Sequence, residues 1–430
     1  MSIPSGISGR IGEVCRTFLA RTRPATAAGK GGEAVPSLVI VDDIFPNLVS
    51  AFRVAEYNYY LEQFPDAQVR SAAALVPFST NWRRFRGWIE EYERQYPGFR
   101  GRVTLLGAFG KIRCRLMYLI FINNAYRFIE EIDQAGIPFA FTLYPGGGFH
   151  LGQAESDRKL RRVFSSPNFR KVIVTQKVTR DYLLQGEFCL PEQVEFIYGG
   201  VLPSELLQAR QLPRRRYPTE KGSFDICFVA HKYMEGGIDK GFDVFAETAR
   251  RLVAVCPDIR FHVVGTFGPS DLPSGGLEGK VTFYGTRTTD FFPSFYAGMD
   301  IILSPNVPFV LAPGAFDGFP TGCCIEAGLC GVAVFCSDPL ALNPCFIDRE
   351  DIVIVPSDPA RVTEIVLEYY RYPDRLYELA ARCRDSFLRV FDIRRQMQPR
   401  LQALLSCMDG QGEKEGAAAL AQEKGEEVTA

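Results

Sequence analysis

Short runs of four to six apolar residues recur along the chain between stretches whose apolar positions fall at helical spacing. Ser37–Val41 is one such run, ending on Asp42 and Asp43. Leu48–Phe64 follows it with apolar and aromatic residues three and four apart, which predicts a helix. Val103–Leu106 predicts a strand, Arg115–Ala135 a helix, and Pro138–Leu143 a strand closed by Tyr144-Pro145-Gly146-Gly147-Gly148. Lys171–Thr175 and Val194–Ile197 read as strands on either side of the helix Val178–Leu184. Strands that are apolar throughout and alternate with helices belong to parallel sheets covered on both faces.

The stretch Leu202–Gly222 interrupts the alternation with Pro213, Pro218 and the solvated-looking run Arg214-Arg215-Arg216, as an interdomain linker would. The alternation then resumes with strands at Phe224–Val229, Arg260–Val264, Val281–Tyr284, Ile301–Leu303, Val332–Cys336 and Ile352–Val355. Helices are expected at Phe242–Val255, Phe291–Ala297, Thr321–Cys330, Ala360–Tyr370 and Asp374–Val390. The expected fold class is therefore α/β, with two Rossmann-like doubly wound domains facing a cleft. The domains divide as 37–201 and 222–385, with a linker at 202–221 and a helix over 386–407 returning to the first domain. Residues 1–36 read as a flexible basic extension, with weak anchoring to a membrane or partner as the livelier alternative. Residues 408–430, with six acids and two lysines, read as a disordered acidic tail.

Composition narrows the function. Among 430 residues, 49 Lys and Arg nearly balance 50 Asp and Glu, so no global charge draws the chain to nucleic acid or an anionic surface. No apolar run reaches bilayer-spanning length and the first apolar stretch is broken by arginines, which places the chain, by expectation, in the cytoplasm or at the inner face of the membrane. The twelve cysteines fall mostly inside apolar runs and read as small buried hydrophobes rather than disulfide partners. No cysteine or histidine spacing matches a metal site, and Asp42-Asp43, the nearest approach to a metal-binding acid pair, reads as strand-end polarity. No metal and no cofactor are expected.

The segment richest in chemistry is Phe316-Asp317-Gly318-Phe319-Pro320-Thr321-Gly322-Cys323-Cys324-Ile325-Glu326. A loop with Gly and Pro feeds directly into a helix, whose first N–H groups have no partners and carry the positive end of the helix dipole. That geometry suits a phosphate or diphosphate, and Gly318 and Gly322 allow close approach to the backbone. Glu326 lies among Cys324, Ile325, Ala327 and Leu329, so its carboxyl is expected to be half buried and in want of hydroxyl or N–H partners, such as a ribose diol.

These residues resemble the fingerprint of glycosyltransferase family four, retaining enzymes of the GT-B fold. Asp317-Gly318-Phe319-Pro320-Thr321, Glu326-Ala327 and Cys330-Gly331-Val332-Ala333-Val334 match it in order. Asp239-Lys240-Gly241-Phe242 is similar to the family's Lys-Gly turn, Val264-Gly265 to its Val-Gly strand end, and Ile197-Tyr198-Gly199-Gly200-Val201 stands where the family has Ile-Pro-Asn-Gly-Val. Two departures stand out. Eight residues separate Asp317 from Glu326 where the family has seven, and the basic residue before Lys240 is Lys232, eight positions upstream.

The resemblance implies a hexosyl- or deoxyhexosyl-transferase that moves a sugar from a nucleotide-sugar donor to a hydroxyl of a glycan or lipid-linked acceptor, with retention and without metal. Asp317, Lys240 and Glu326 would carry catalysis. Lys232, Lys240, Gly318, Phe319, Pro320, Thr321, Gly322 and Glu326 would bind the donor. Gly146, Gly147, His150, Ser50 and Arg53 are candidate sugar or acceptor contacts; His231 lies at a strand end near the expected phosphates, and His262 reads as structural. Peripheral membrane association would suit a lipid-linked acceptor, and nucleic acid is not an expected partner. The alternative is a GT-B-like nucleotide-sugar binder that has lost turnover, motivated by the altered acid spacing and by Tyr144 at a strand end where relatives carry His. An epimerase or a phosphorylase of the same fold is a weaker third reading.

Overall fold

The computed structural model describes residues 35–72, 82–107, 109–209 and 212–408. The basic extension expected before Pro36 and the acidic tail expected after Met408 lie almost wholly outside the described residues.

Two all-parallel sheets form the frame. The first holds β1 (Leu38–Asp42), β2 (Gln68–Ser71), β3 (Val103–Leu105), β4 (Leu116–Ile120), β5 (Phe139–Leu143), β6 (Phe169–Val174) and β7 (Val194–Phe196), in the order β3-β2-β1-β4-β5-β6-β7. The second holds β8 (Phe224–Val229), β9 (Ile259–Val264), β10 (Val281–Phe283), β11 (Ile301–Ser304), β12 (Ala333–Cys336) and β13 (Val353–Ile354), in the order β10-β9-β8-β11-β12-β13. Both are doubly wound and reverse direction at a switch point, between β1 and β4 and between β8 and β11. This is the GT-B arrangement.

Burial explains why these strands form where they do. β1, β4 and β5 are buried at every position, so they are built mainly from apolar side chains, and the polar Asp42 and Thr142 within them are hydrogen-bonded. The expected single helix over Arg115–Ala135 is corrected on this ground. Leu116–Ile120 is the central strand β4, paired with β1 and β5, and the helix begins only at Ile122, after Phe121 turns the chain at φ 66°. An apolar run of five residues fits a buried strand and a buried helix equally well by periodicity. β2 and the helices Trp82–Gln95 and Ala154–Phe164 were also unmarked by the pattern. The linker is less loose than its composition suggests. It contains the helix Ser204–Ala209, and Arg214, expected to be solvated, donates to the Met299 carbonyl.

Residues 393–408 form a helix whose Met397, Ala403, Leu404, Cys407 and Met408 pack with Leu38, Tyr57, Tyr60 and Tyr118 in the core of the first domain. Gln396 of this helix donates to the carbonyls of Tyr198 and Val390, at 3.0 and 2.9 Å, and so ties both chain crossings between the domains. The eleven described cysteines are free thiols. No helix among the described residues is long and apolar enough to cross a membrane.

Gly241 ends the turn after β8 at φ 69°, and a Cβ there would lie 1.9 Å from the Pro305 carbonyl oxygen. Gly236, at φ 68°, has only a flexible Ile238 side chain within reach at 3.6 Å. Each substitution by Ala incurs the left-handed penalty of roughly 1–2 kcal/mol. Gly241→Ala adds backbone displacement costing about 1–3 kcal/mol more. Chemical denaturation of the two variants is expected to show that gap; equal losses would remove the close approach from the account.

Candidate active site

The site lies where the carboxyl ends of β8 and β11 part, the usual ligand position in an open α/β sheet. A cavity of about 280 Å³ opens there, lined by His231, Tyr233 and Lys240 after β8, by Asn306 and Asp317 after β11, and by Thr321, Gly322, Cys323 and Glu326 at the start of the next helix. Val49 and Ala51 close it from the first domain, and Thr286 and Arg287, after β10, form its far wall.

The helix is Gly322–Leu329, and its first turn is uncapped. Thr321 makes no cap hydrogen bond; its hydroxyl sits 3.4 Å from Ser304 Oγ and 3.1 Å from Cys323 Sγ. The first intrahelical bond is Ile325 N–H to Thr321 O, which leaves the N–H groups of Gly322, Cys323 and Cys324 without intrahelical partners. From Cys324 to Leu329 every residue is buried, so the helix is anchored by its apolar length and presents its amino end to the cavity.

Glu326 is 6% exposed and has no hydrogen-bond or ion-pair partner among the described residues. Burial, and secondarily the Cys323 thiol, push its carboxyl up to about 8. A buried acid with no protein group to donate to it is costly, and donors brought by a ligand would relieve that cost.

Lys240 is the cation of the cavity floor. Its Nζ donates to both carboxylate oxygens of Asp317, at 2.8 and 2.7 Å, and lies 3.8 Å from Asp239 and 5.0 Å over the Tyr233 ring. Burial alone would lower its pKa; Asp317 outweighs that and the net shift is upward, so Lys240 stays charged. Asp317 also accepts from Asn306 Nδ2 at 2.6 Å. The structure thus brings Lys240, Asp317, Thr321, Gly322 and Glu326 into one cavity, with Gly318, Phe319 and Pro320 as the connecting loop.

Other expected contacts sit elsewhere. Lys232 is held by both oxygens of Asp271, at 2.9 and 3.0 Å, and does not line the cavity. Arg53 is buried and spends its guanidinium on Asp42 at 2.9 Å, Asp43 at 2.9 Å and the Ser50 hydroxyl at 3.1 Å. Asp42 in turn caps Ile44 and Phe45 and accepts from Tyr57, so this group fastens the end of β1 rather than offering free donors. Gly146 and Gly147 form the turn after β5; a Cβ at Gly147 would lie 2.2 Å from the Phe121 ring. His150, whose pKa is lowered by burial and then by Lys159, lies beyond that turn and outside the cavity. Tyr144 is buried and donates to Glu56 at 2.9 Å. His262 bridges Asp225 at 2.8 Å and Tyr284 at 3.0 Å within the second sheet.

Arg287, Asn306 and Tyr233 line the cavity without having been marked in the sequence. Arg287 and Asn306 each follow the carboxyl end of a strand, a position that could have flagged them; Tyr233 stands on an exposed loop with no pattern to read.

Residues 224–371 match the family model described as Glycosyl transferases group 1. Among solved structures the chain is similar to Anabaena Alr3699/HepE in complex with UDP and glucose, at 15% identity and a TM-score of 0.63, over 86% of this chain and 100% of that one. A glycosyltransferase from Rickettsia africae aligns at 14% identity and 0.58, over 87% and 99%. Sucrose-phosphate synthase from Thermosynechococcus elongatus aligns at 15% identity and 0.54, over 89% and 100%. Comparison with curated proteins gives no match. Residues 224–371 thus resemble a group 1 glycosyl transferase domain, and the chain as a whole has the GT-B fold.

Because burial pushes Glu326 up to about 8, above the ordinary 4.5, the fold is most stable with the group protonated. That contribution is fully present below about pH 4.5 and is lost as pH rises through about 8. Glu326→Gln removes the titration. Its melting temperature relative to wild type is expected to climb between pH 5 and pH 9, by an amount corresponding to on the order of 1–4 kcal/mol. A pH-independent difference would mean that the carboxyl is solvated or paired.

Proposed function

We propose that the protein is a nucleotide-sugar-dependent glycosyltransferase that moves a hexosyl or deoxyhexosyl group to a hydroxyl of a glycan or lipid-linked acceptor. The observation that carries this reading is the partnerless, buried Glu326 one helical turn from an uncapped helix start and facing Lys240 across one cavity. A nucleoside diphosphate matches those three features at once. Its ribose diol supplies two hydroxyl donors to Glu326, and its diphosphate meets the amides of Gly322 and Cys323 and the ammonium of Lys240.

In this reading the donor lies along the second domain, with the nucleoside toward Arg287 and the sugar toward Asp317 and the Gly146 turn. As the glycosidic bond breaks, charge grows on the leaving diphosphate. Lys240 and the helix start are a cation and a dipole fixed in advance where that charge appears, which is the work a metal ion would otherwise do. Asp317 holds Lys240 in place before the donor arrives and then stands beside the donor sugar. Retention at the anomeric carbon belongs to the proposal through the family resemblance of the Asp317–Glu326 segment. Association with a membrane surface would follow from a lipid-linked acceptor.

Thermal-shift titration with UDP, GDP and dTDP and their sugars tests the donor. One nucleoside diphosphate is expected to raise the melting temperature, and its affinity to rise with pH and level off above about 8, since diol donors favour the carboxylate form of Glu326. Lys240→Ala is expected to lower kcat by about 10²–10³, the range for loss of one fixed anion-stabilising donor. Saturable donor binding without transfer or hydrolysis across an acceptor panel would support a binding protein instead. Activity that disappears with EDTA and returns with a divalent ion would overturn metal independence, and NMR of the product's anomeric proton decides retention.

A further inference from the structure

The loop that bears Asp317 belongs to the second domain in sequence but is fastened to the first. Leu151 N–H donates to the Gly314 carbonyl at 2.9 Å. The buried rings of Phe149 and Phe316 meet edge to face with centroids 6.0 Å apart. Gln176, just after β6 and 2% exposed, donates from Nε2 to the Phe319 carbonyl at 3.3 Å. A Cβ at Gly318 would lie 3.1 Å from that same nitrogen and 3.7 Å from the Pro145 ring, so the backbone comes close to the first domain there as well. Gln176 Oε1 is buried without a partner among the described residues, so the Phe319 carbonyl sets the orientation of the amide.

Asp317 sits in the middle of this segment, and its side chain is held within its own domain by Lys240 and Asn306. Any change in cleft width therefore forces a choice. Either the loop keeps its first-domain contacts and Asp317 leaves Lys240, or the reverse. Lys240 is only 11% exposed and cannot be left unpaired, but once an anion from outside occupies it, Asp317, 38% exposed, can turn to solvent at little cost. The contacts to the first domain include two buried aromatic rings and two hydrogen bonds across the boundary. The first set yields.

We infer that the Asp317 loop moves as part of the first domain and that Gln176 is the positioning residue that keeps it there. This inference rests on the proposed transferase reading and deepens it. A donor diphosphate taking over Lys240 releases Asp317, and the loop then reports the position of the first domain to the reacting sugar. Donor capture by Lys240 and Glu326 needs the second domain alone, whereas placing Asp317 needs both.

Hydrogen–deuterium exchange on the full chain, without ligand, tests the fastening in wild type, Gln176→Ala, Gln176→Glu and the surface control Lys177→Ala. Gln176→Glu keeps the reach but sets an acceptor against the Phe319 carbonyl. Exchange over residues 309–320 is expected to rise about tenfold in both Gln176 variants and not in the control, with β8 and β11 unchanged. Under the nucleotide sugar that stabilises the wild type, both variants are expected to lose about tenfold in kcat and to hydrolyse a larger share of donor, with the donor KM unchanged. A purely structural role for Gln176 would lower stability without moving that ratio. Unchanged loop exchange, or unchanged kcat and hydrolysis, overturns the inference. A wild type that transfers nothing overturns the transferase reading instead, while the exchange data still decide the fastening.

Discussion

A carboxyl group can be buried without partners only if the surrounding fold is stable enough to hold it there and something outside the chain can satisfy it. Glu326 meets the first condition through its helix, which from Cys324 to Leu329 is embedded in apolar contacts with its neighbours. The same embedding turns the amino end of the helix, and Glu326 one turn in, toward the cavity. The acid and the uncapped amides are thus two results of a single placement: an apolar helix driven end-on toward the switch point of a parallel sheet.

The electrostatics of the cavity follow from that placement. Lys240 is almost fully buried and would be costly to leave unpaired, so Asp317 and Asn306 complete a local network around it. Because Asp317 is half-exposed, it can be exchanged at Lys240 for an anion from outside without leaving a buried charge alone. Arg287 adds a second cation on the far wall, stacked 5.3 Å from the Phe291 ring. The cavity therefore holds the buried acid Glu326, a lysine paired with Asp317 and an exposed arginine, a composition suited to a ligand that is anionic at one end and rich in hydroxyls at the other.

The first domain contributes shape more than charge. The cluster of Asp42, Asp43, Arg53, Ser50 and Tyr57 is internally satisfied and serves to hold the end of β1, so that Val49 and Ala51 reach the cavity as apolar wall. The helix 393–408 locks onto the first core, and its Gln396 grips both crossings between the domains.

The two-sheet parallel architecture and the Asp317–Glu326 loop and helix were legible in the sequence, since each depends on local features: uninterrupted apolar runs, Gly and Pro at a helix entry, and the spacing of side chains along one helix. Where a run of apolar residues stood alone, as at Leu116–Ile120, the choice between strand and helix was made by the neighbouring strands that bury both faces. The fates of Arg53 and Lys232 were likewise decided in three dimensions. Whether a cation faces a ligand or an internal acid depends on partners far along the chain, such as Asp271 for Lys232, and a sequence carries residue types but not the distances between them.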